Sequence, residues 1–309
     1  MKRLAMTIVA VAALAFAVGA PRAWAQQQDL ANAQITTKDL GQGAYMLLGP
    51  GGNITIVTAS DGILMVDAEF PPVHDKVRAA ITAVSQQPIK AIVNTHYHPD
   101  HTSGDAAFIK EGVTVIAHEN VKKRLLAGYT NGLTGNHTNG LPPDAVPTKT
   151  YSGNTGPTLK VNGRTAKVGH IANAHTDGDS YVYFPEINVL ATGDILVLGR
   201  YPNIDFANGG NIKGMIAGID RYLKIANFRT QIVPGHGPLA HKADLVTYRA
   251  FLIEARDRVA KLIKAGKSEQ EAVAAHVFAD WDAKLNANDQ ASANFTRVVY
   301  NSLKPPKAK

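Results

Sequence analysis

The sequence contains no cysteine, so disulfide bonds and lipid attachment through sulfur are excluded, and stability must come from packing and bound groups. Lys and Arg nowhere cluster into the stripe that a nucleic-acid surface requires, so no nucleic-acid partner is expected. No short internal repeat is visible. With 45% apolar residues in 309, the chain is long enough for one large core or two small ones.

One long apolar run, Leu4 to Ala20, follows Met1-Lys2-Arg3 and ends in Pro21-Arg22-Ala23-Trp24-Ala25. A basic start, an apolar middle and a small-x-small end read as a signal peptide, residues 1–25, cut after Ala25. A membrane anchor is the other reading, because roughly 17 apolar residues is the lower limit of a span. The processing site favours cleavage, so residues 26–309 are expected to be periplasmic or secreted with no stable membrane anchor. Losing Lys2, Arg3 and Arg22 lowers the formal charge from +7 to +4, which is only mildly basic.

Apolar periodicity places strands at 34–36, 44–48, 53–58 and 63–67, with Ser60-Asp61-Gly62 as a hairpin turn. A helix is predicted over 73–84, closed by Pro88. A buried strand, 89–94, runs into Thr95-His96-Tyr97-His98-Pro99-Asp100-His101. A helix at 104–110, a strand at 113–117 and a helix at 119–126 follow. Residues 128–147 are rich in Gly, Asn, Thr and Pro, and a mobile flap and a plain surface excursion both fit that composition. Strands resume at 147–151, 158–161, 164–170, 181–184 and 189–192. Helices at 212–225, 242–264, 268–279 and 291–303 close the chain, with one strand at 231–234. Strands, helix and strands again in each half suggest two layered halves packed sheet on sheet, helices outside.

His96 and His98 are two apart at a strand end, so both imidazoles can face one metal. Asp100 and His101 lie beyond the Pro99 turn and can aim at a second ion about 3.5–4 Å away, the spacing at which two ions share a hydroxide. With 11 histidines in the chain, three within six residues is not a chance grouping. Further donors stand alone at Gly-containing turns: His175, Asp194 in Thr192-Gly193-Asp194, and His236 in Pro234-Gly235-His236-Gly237. His74, His137, His170, His241 and His276 have no partner spacing, and His118 ends a strand.

His-x-His-x-Asp-His, then a His, an Asp and Pro-Gly-His-Gly in that order, resembles the metallo-β-lactamase superfamily. The resemblance runs from about Gln34 to His236. It implies an α/β fold, a four-layer αβ/βα sandwich, in one hydrolase domain over residues 26–309 with C-terminal helices. It also implies His96, His98 and His175 on one zinc, Asp100, His101 and His236 on the other, and Asp194 bridging both. Asp67 and Asp179 would orient ligands, or serve as turn caps. Iron or manganese also suits such an oxygen-rich set.

Two zinc ions would acidify a bridging water, with Asp100 as the catalytic group that orients it and passes its proton on. The expected substrate is a small cyclic amide or ester, possibly a β-lactam. Thioesterase of the hydroxyacylglutathione-hydrolase kind and lactonase are the alternatives, and a non-catalytic zinc-binding protein is the remote one. Relative to one subclass of zinc β-lactamases, Asp194 stands for a Cys and Val197 for a Lys. Arg200 is the expected replacement for that Lys, Asn208 is expected to bind substrate, and Asn211 reads as a helix cap.

Overall fold

The computed structural model describes residues 30 and 32–304; the expected leader, residues 1–25, lies outside them. Four strands open the first half as an antiparallel meander: β1 (Thr36–Gly41), β2 (Ala44–Leu48), β3 (Ile54–Ala59) and β4 (Gly62–Val66). Helix α1 (His74–Val84) then carries the chain to β5 (Ile89–Val93), which lies parallel to β4. Two short helices, α2 (Pro99–Thr102) and α3 (Asp105–Lys110), lead to β6 (Thr114–His118), parallel to β5. Helix α4 (Glu119–Ala127) follows directly.

The Gly- and Asn-rich stretch forms a two-strand ribbon, β7 (Tyr129–Thr130) with β8 (His137–Thr138). The Asn131 carboxamide accepts from Leu133 and Thr134 N–H and so closes its turn. Strand β9 (Lys149–Tyr151) then completes a seven-stranded sheet, ordered β1-β2-β3-β4-β5-β6-β9.

The second half builds a five-stranded sheet from β10 (Thr155–Val161), β11 (Arg164–His170), β12 (Ser180–Phe184) and β13 (Val189–Ala191), antiparallel in turn. Helix α5 (Ile212–Ile225) crosses over to β14 (Gln231–Val233), which pairs parallel with β13. Four helices end the chain: α6 (Lys242–Lys264), α7 (Glu269–Ala274), α8 (Ala279–Leu285) and α9 (Asp289–Leu303).

Strand alternation separates the apolar residues into layers. In β4, Leu64 and Val66 join a cluster shared with Val168, Val182, Phe184 and Val189 of the second sheet, so the sheets pack face to face. Ile63 and Met65 of the same strand belong to a cluster with Val77 and Ile81 of α1 and Phe108 of α3. On the far side, Tyr181, Leu190 and Ile232 pack with Ile216, Leu252 and Phe295 of α5, α6 and α9. Helix, sheet, sheet and helix are therefore the four layers implied by the sequence motifs.

The stretch predicted as one helix over 268–279 is interrupted. His276 takes φ 43°, which ends α7, and Phe278 drops fully buried into the core before α8 begins. Periodicity alone did not indicate α8, because the break is made by a tertiary contact. Asn211 does cap α5, its side chain accepting from Lys213 N–H at 2.8 Å.

Candidate metal centre

The C-terminal ends of β4, β5, β13 and β14 and the loop between β11 and β12 meet at one edge of the sandwich. Strand β5 ends, Thr95 to Tyr97 bend, and the extended His98 precedes Pro99, which starts α2 and turns Asp100 and His101 back toward the strand end. His175 lies in the β11–β12 loop, Asp194 in a 3₁₀ turn after β13, and His236 just beyond β14.

One donor atom from each of His96, His98, His175 and Asp194 falls within 4.8 Å of the others, and the same holds for Asp100, His101 and His236. His98 Nδ1 is 2.8 Å from His175 Nε2, and His101 Nε2 is 3.4 Å from His236 Nε2. Asp194 stands between the groups: Oδ1 is 3.2 Å from His101 Nε2 and 3.4 Å from His236 Nε2, while Oδ2 is 3.7 Å from His175 Nε2. Asp100 Oδ2 lies 3.1 Å from His236 Nε2. All seven expected donors are thus brought together.

Partners behind the rings fix which nitrogen faces inward. His175 Nδ1 is 2.8 Å from the Asn203 carbonyl, which can only accept, so Nδ1 carries the proton and Nε2 presents a lone pair. His101 Nδ1 meets Asp67 Oδ2 at 2.7 Å. Asp67, held at φ 64°, also accepts from Thr95 N–H and Thr95 Oγ1–H, each at 2.7 Å. His98 Nε2 lies 3.1 Å from Asp205 Oδ2, and the Tyr97 hydroxyl donates to the same carboxylate. Asp179 accepts from Thr176 N–H and Oγ1–H at 2.8 and 2.6 Å, bracing the loop that carries His175.

Charge balance at the cluster suits a cation. Burial, with His101 and His175 adjoining, keeps His96 well below the usual imidazole range, and its buried Nε2 has no hydrogen-bond partner. Burial together with His98 pushes His175 down to about 4. Burial opposes ionisation of Asp194 and Asp100, yet His101 and His236 hold both carboxyls well below their ordinary range. His96 and His175 are held neutral, whereas against burial the carboxylates of Asp67 and Asp194 hold His101 and His236 above the usual imidazole range. Imidazoles and ionised carboxylates packed together in a buried space are donor types that suit a divalent metal. The residues present fit bound metal.

Two glycines permit the crowding. A Cβ at Gly52 would overlap the His101 ring, and one at Gly235 would overlap Asp194 Oδ1. Asn53 joins the halves here, its side chain donating to the carbonyls of Pro234 and Gly237 at 2.9 and 3.0 Å.

Of the two expected substrate contacts, Arg200 is exposed at the rim of a cavity of about 300 Å³ that His236 also lines. Asn208 is differently placed. It is buried, its amide donates to Thr130 O and Asp205 Oδ1, and its carbonyl accepts from Arg124, so the fold uses all of its polar atoms. His118 stacks on His170 with ring centroids 3.8 Å apart and caps α4. Sequence reasoning missed Asp205, Tyr97 and Asn53. Asp205 and Tyr97 lie 108 positions apart and carry no spacing signal, whereas Asn53 was read only as the first residue of a strand.

Fold and site together define a layered α/β protein with clustered His and Asp side chains that could hold metal. The metallo-β-lactamase superfamily model matches residues 48–263, and the chain belongs to that superfamily. It is 25% identical over 217 residues to the linear primary-alkylsulfatase of a Pseudomonas species, a match taking in 59% of this chain and 40% of that protein. Among solved structures it resembles a metallo-β-lactamase from Pontibacter korlensis (TM-score 0.57, 20% identity, 71% of this chain and 99% of that one). It also resembles an inverting sec-alkylsulfatase from Pseudomonas sp. (TM-score 0.65, 19% identity, 91% of this chain and 51% of that one). The chain thus spans about half the length of the alkylsulfatases it matches or less.

Proposed function

We propose that this chain is an exported dizinc hydrolase of a small-molecule ester or cyclic amide, with residues 1–25 as its signal peptide. His96, His98 and His175 would hold one ion, Asp100, His101 and His236 the other, and Asp194 would touch both. The observation that carries this reading is Asp194 standing between two donor groups with an oxygen toward each.

Bound there, two zinc ions supply Lewis acidity and acidify water at neutral pH. Asp67 and Asp205 keep the rings of His101 and His98 from turning, which preserves the donor set. Asp100 is about a quarter exposed beside His236, so its carboxylate is placed to take a proton from water and deliver it to a leaving group. Arg200 at the rim offers a cation to an anionic substituent of the substrate.

Zinc-loaded protein would be assayed with a chromogenic cephalosporin, a lactone panel and a thioester panel, with metal content measured in parallel. Turnover that needs two zinc equivalents supports the reading. Full turnover after complete metal removal would refute it.

Sulfate esters form a second reading. The alkylsulfatase likeness takes in 91% of the chain, against 71% for the β-lactamase. Release of inorganic sulfate from alkyl sulfates, with no β-lactam, lactone or thioester cleavage, would favour it.

A further inference from the structure

Beside the cavity that His236 lines is a second one of about 170 Å³, walled by α6, α8 and the segment 197–200. The two share Leu198, Gly199 and Arg200, so they adjoin along that segment. The segment is tied to the site: Leu198 N–H donates to the His236 carbonyl at 3.0 Å.

The second cavity is apolar where it is free to bind. Val197, Leu198, Phe251, Trp281 and Leu285 supply most of its surface; the Tyr248 hydroxyl is buried without a hydrogen-bond partner, and the polar groups of Asp244, Thr247 and Trp281 are engaged elsewhere. Asp244 accepts from His241 N–H at 2.7 Å, Thr247 Oγ1 donates to Ala243 O at 3.2 Å, and Trp281 Nε1 donates to Glu254 at 3.1 Å. At the junction, Arg200 makes no hydrogen bond or ion pair among the described residues. An unpaired guanidinium between an apolar cavity and a metal cluster matches an anion with an apolar tail.

We infer that the α6–α8 cavity is a tail-binding subsite, which makes the substrate an amphiphile: an anionic group at Arg200, its scissile bond at the metal cluster and an alkyl or aryl tail against Trp281 and Phe251. This rests on the hydrolase reading for the identity of the scissile bond alone. An apolar cavity of ~150 Å³ accepts benzene, so this one accommodates a phenyl ring or about six methylene groups.

The test is calorimetric titration of zinc-loaded protein with straight-chain carboxylates from acetate to decanoate. Affinity should rise roughly three- to fourfold per methylene through about six carbons and then level off. Thr247→Trp, which fills the cavity from an exposed position on α6, should flatten that rise; Leu285→Trp does the same from α8 if the first variant does not fold. Arg200→Met should weaken every member about tenfold and leave the slope unchanged. A flat series in the native protein, or a slope that survives both filling variants, overturns the subsite. A steep series in a protein that turns over no ester, thioester or cyclic amide leaves the subsite standing and sinks the hydrolase reading instead.

Discussion

The carboxylate of Asp67 lies 2.7 Å from Nδ1 of His101, with both side chains buried and the other nitrogen of the ring turned toward Asp194. Asp67 makes this contact while gripping Thr95 through both of its oxygens, so strand end and metal-facing ring are set by one residue.

Replacing Asp67 by Ala should therefore weaken metal binding without removing a proposed ligand. Loss of such an outer partner typically costs 10–100-fold in affinity. A competition titration with a chelator measures it, and native affinity in the variant would show that His101 needs no such support.

Asp194→Ala removes the carboxylate shared by both donor groups. Both ions should leave more readily, giving less than one zinc per chain at a concentration that saturates the native protein. Retention of two zincs would show that Asp194 is not a shared ligand.

Chelation should also lower the melting temperature. An ion present at 1,000 times its dissociation constant stabilises the native state by about 4 kcal/mol, or roughly 10 °C for a domain of this size. Differential scanning of loaded and stripped protein reads this directly; coincident curves would leave the cluster without a stabilising cation.

Asp205→Ala strands the buried Tyr97 hydroxyl and frees the His98 ring. An unsatisfied buried polar group costs about 1–3 kcal/mol. Urea unfolding of the stripped variant isolates that cost, whereas zinc affinity reports on the ring.

Away from the cluster, the stacked pair His118 and His170 gives a pH dependence. Burial, with His170 adjoining, pushes His118 down to about 4, and its Nδ1 must stay unprotonated to accept from Asn120 N–H. Between about 4 and 6.5 the unfolded chain binds the extra proton, so this pair's contribution is present above pH 6.5 and is lost as pH falls toward 4. His118→Asn keeps a capping acceptor and removes the titration. The stability difference between native and variant protein should shift by on the order of 1 kcal/mol across that interval, after screening. A constant difference would rule the pair out.

What could be read from residue order followed a physical pattern. His96 to His101 were legible because neighbours in sequence share a strand end, and His175, Asp194 and His236 because each sits at a Gly-containing turn. Layering was legible in the period-two alternation of strands such as β4. Asp205 and Asn53 were not, because their partners lie 107 and 181 positions away and only the folded sheets unite them. The partners of Asn208 were not legible for a related reason: Arg124 and Thr130, which engage its side chain, lie far from it in sequence. The subsite walled by α6 and α8 involves a helix that periodicity did not disclose.

Four of the seven donors hang from the first sheet and three from the second, with Asn53 stitched across the seam. A slide of one sheet over the other by a single residue step, about 3.3 Å, is as large as the gaps of 2.8 to 3.4 Å between the two contingents and would break them up. The reactive centre therefore doubles as a gauge of correct assembly, since neither half of the polypeptide carries the full complement and only their proper docking brings it into register.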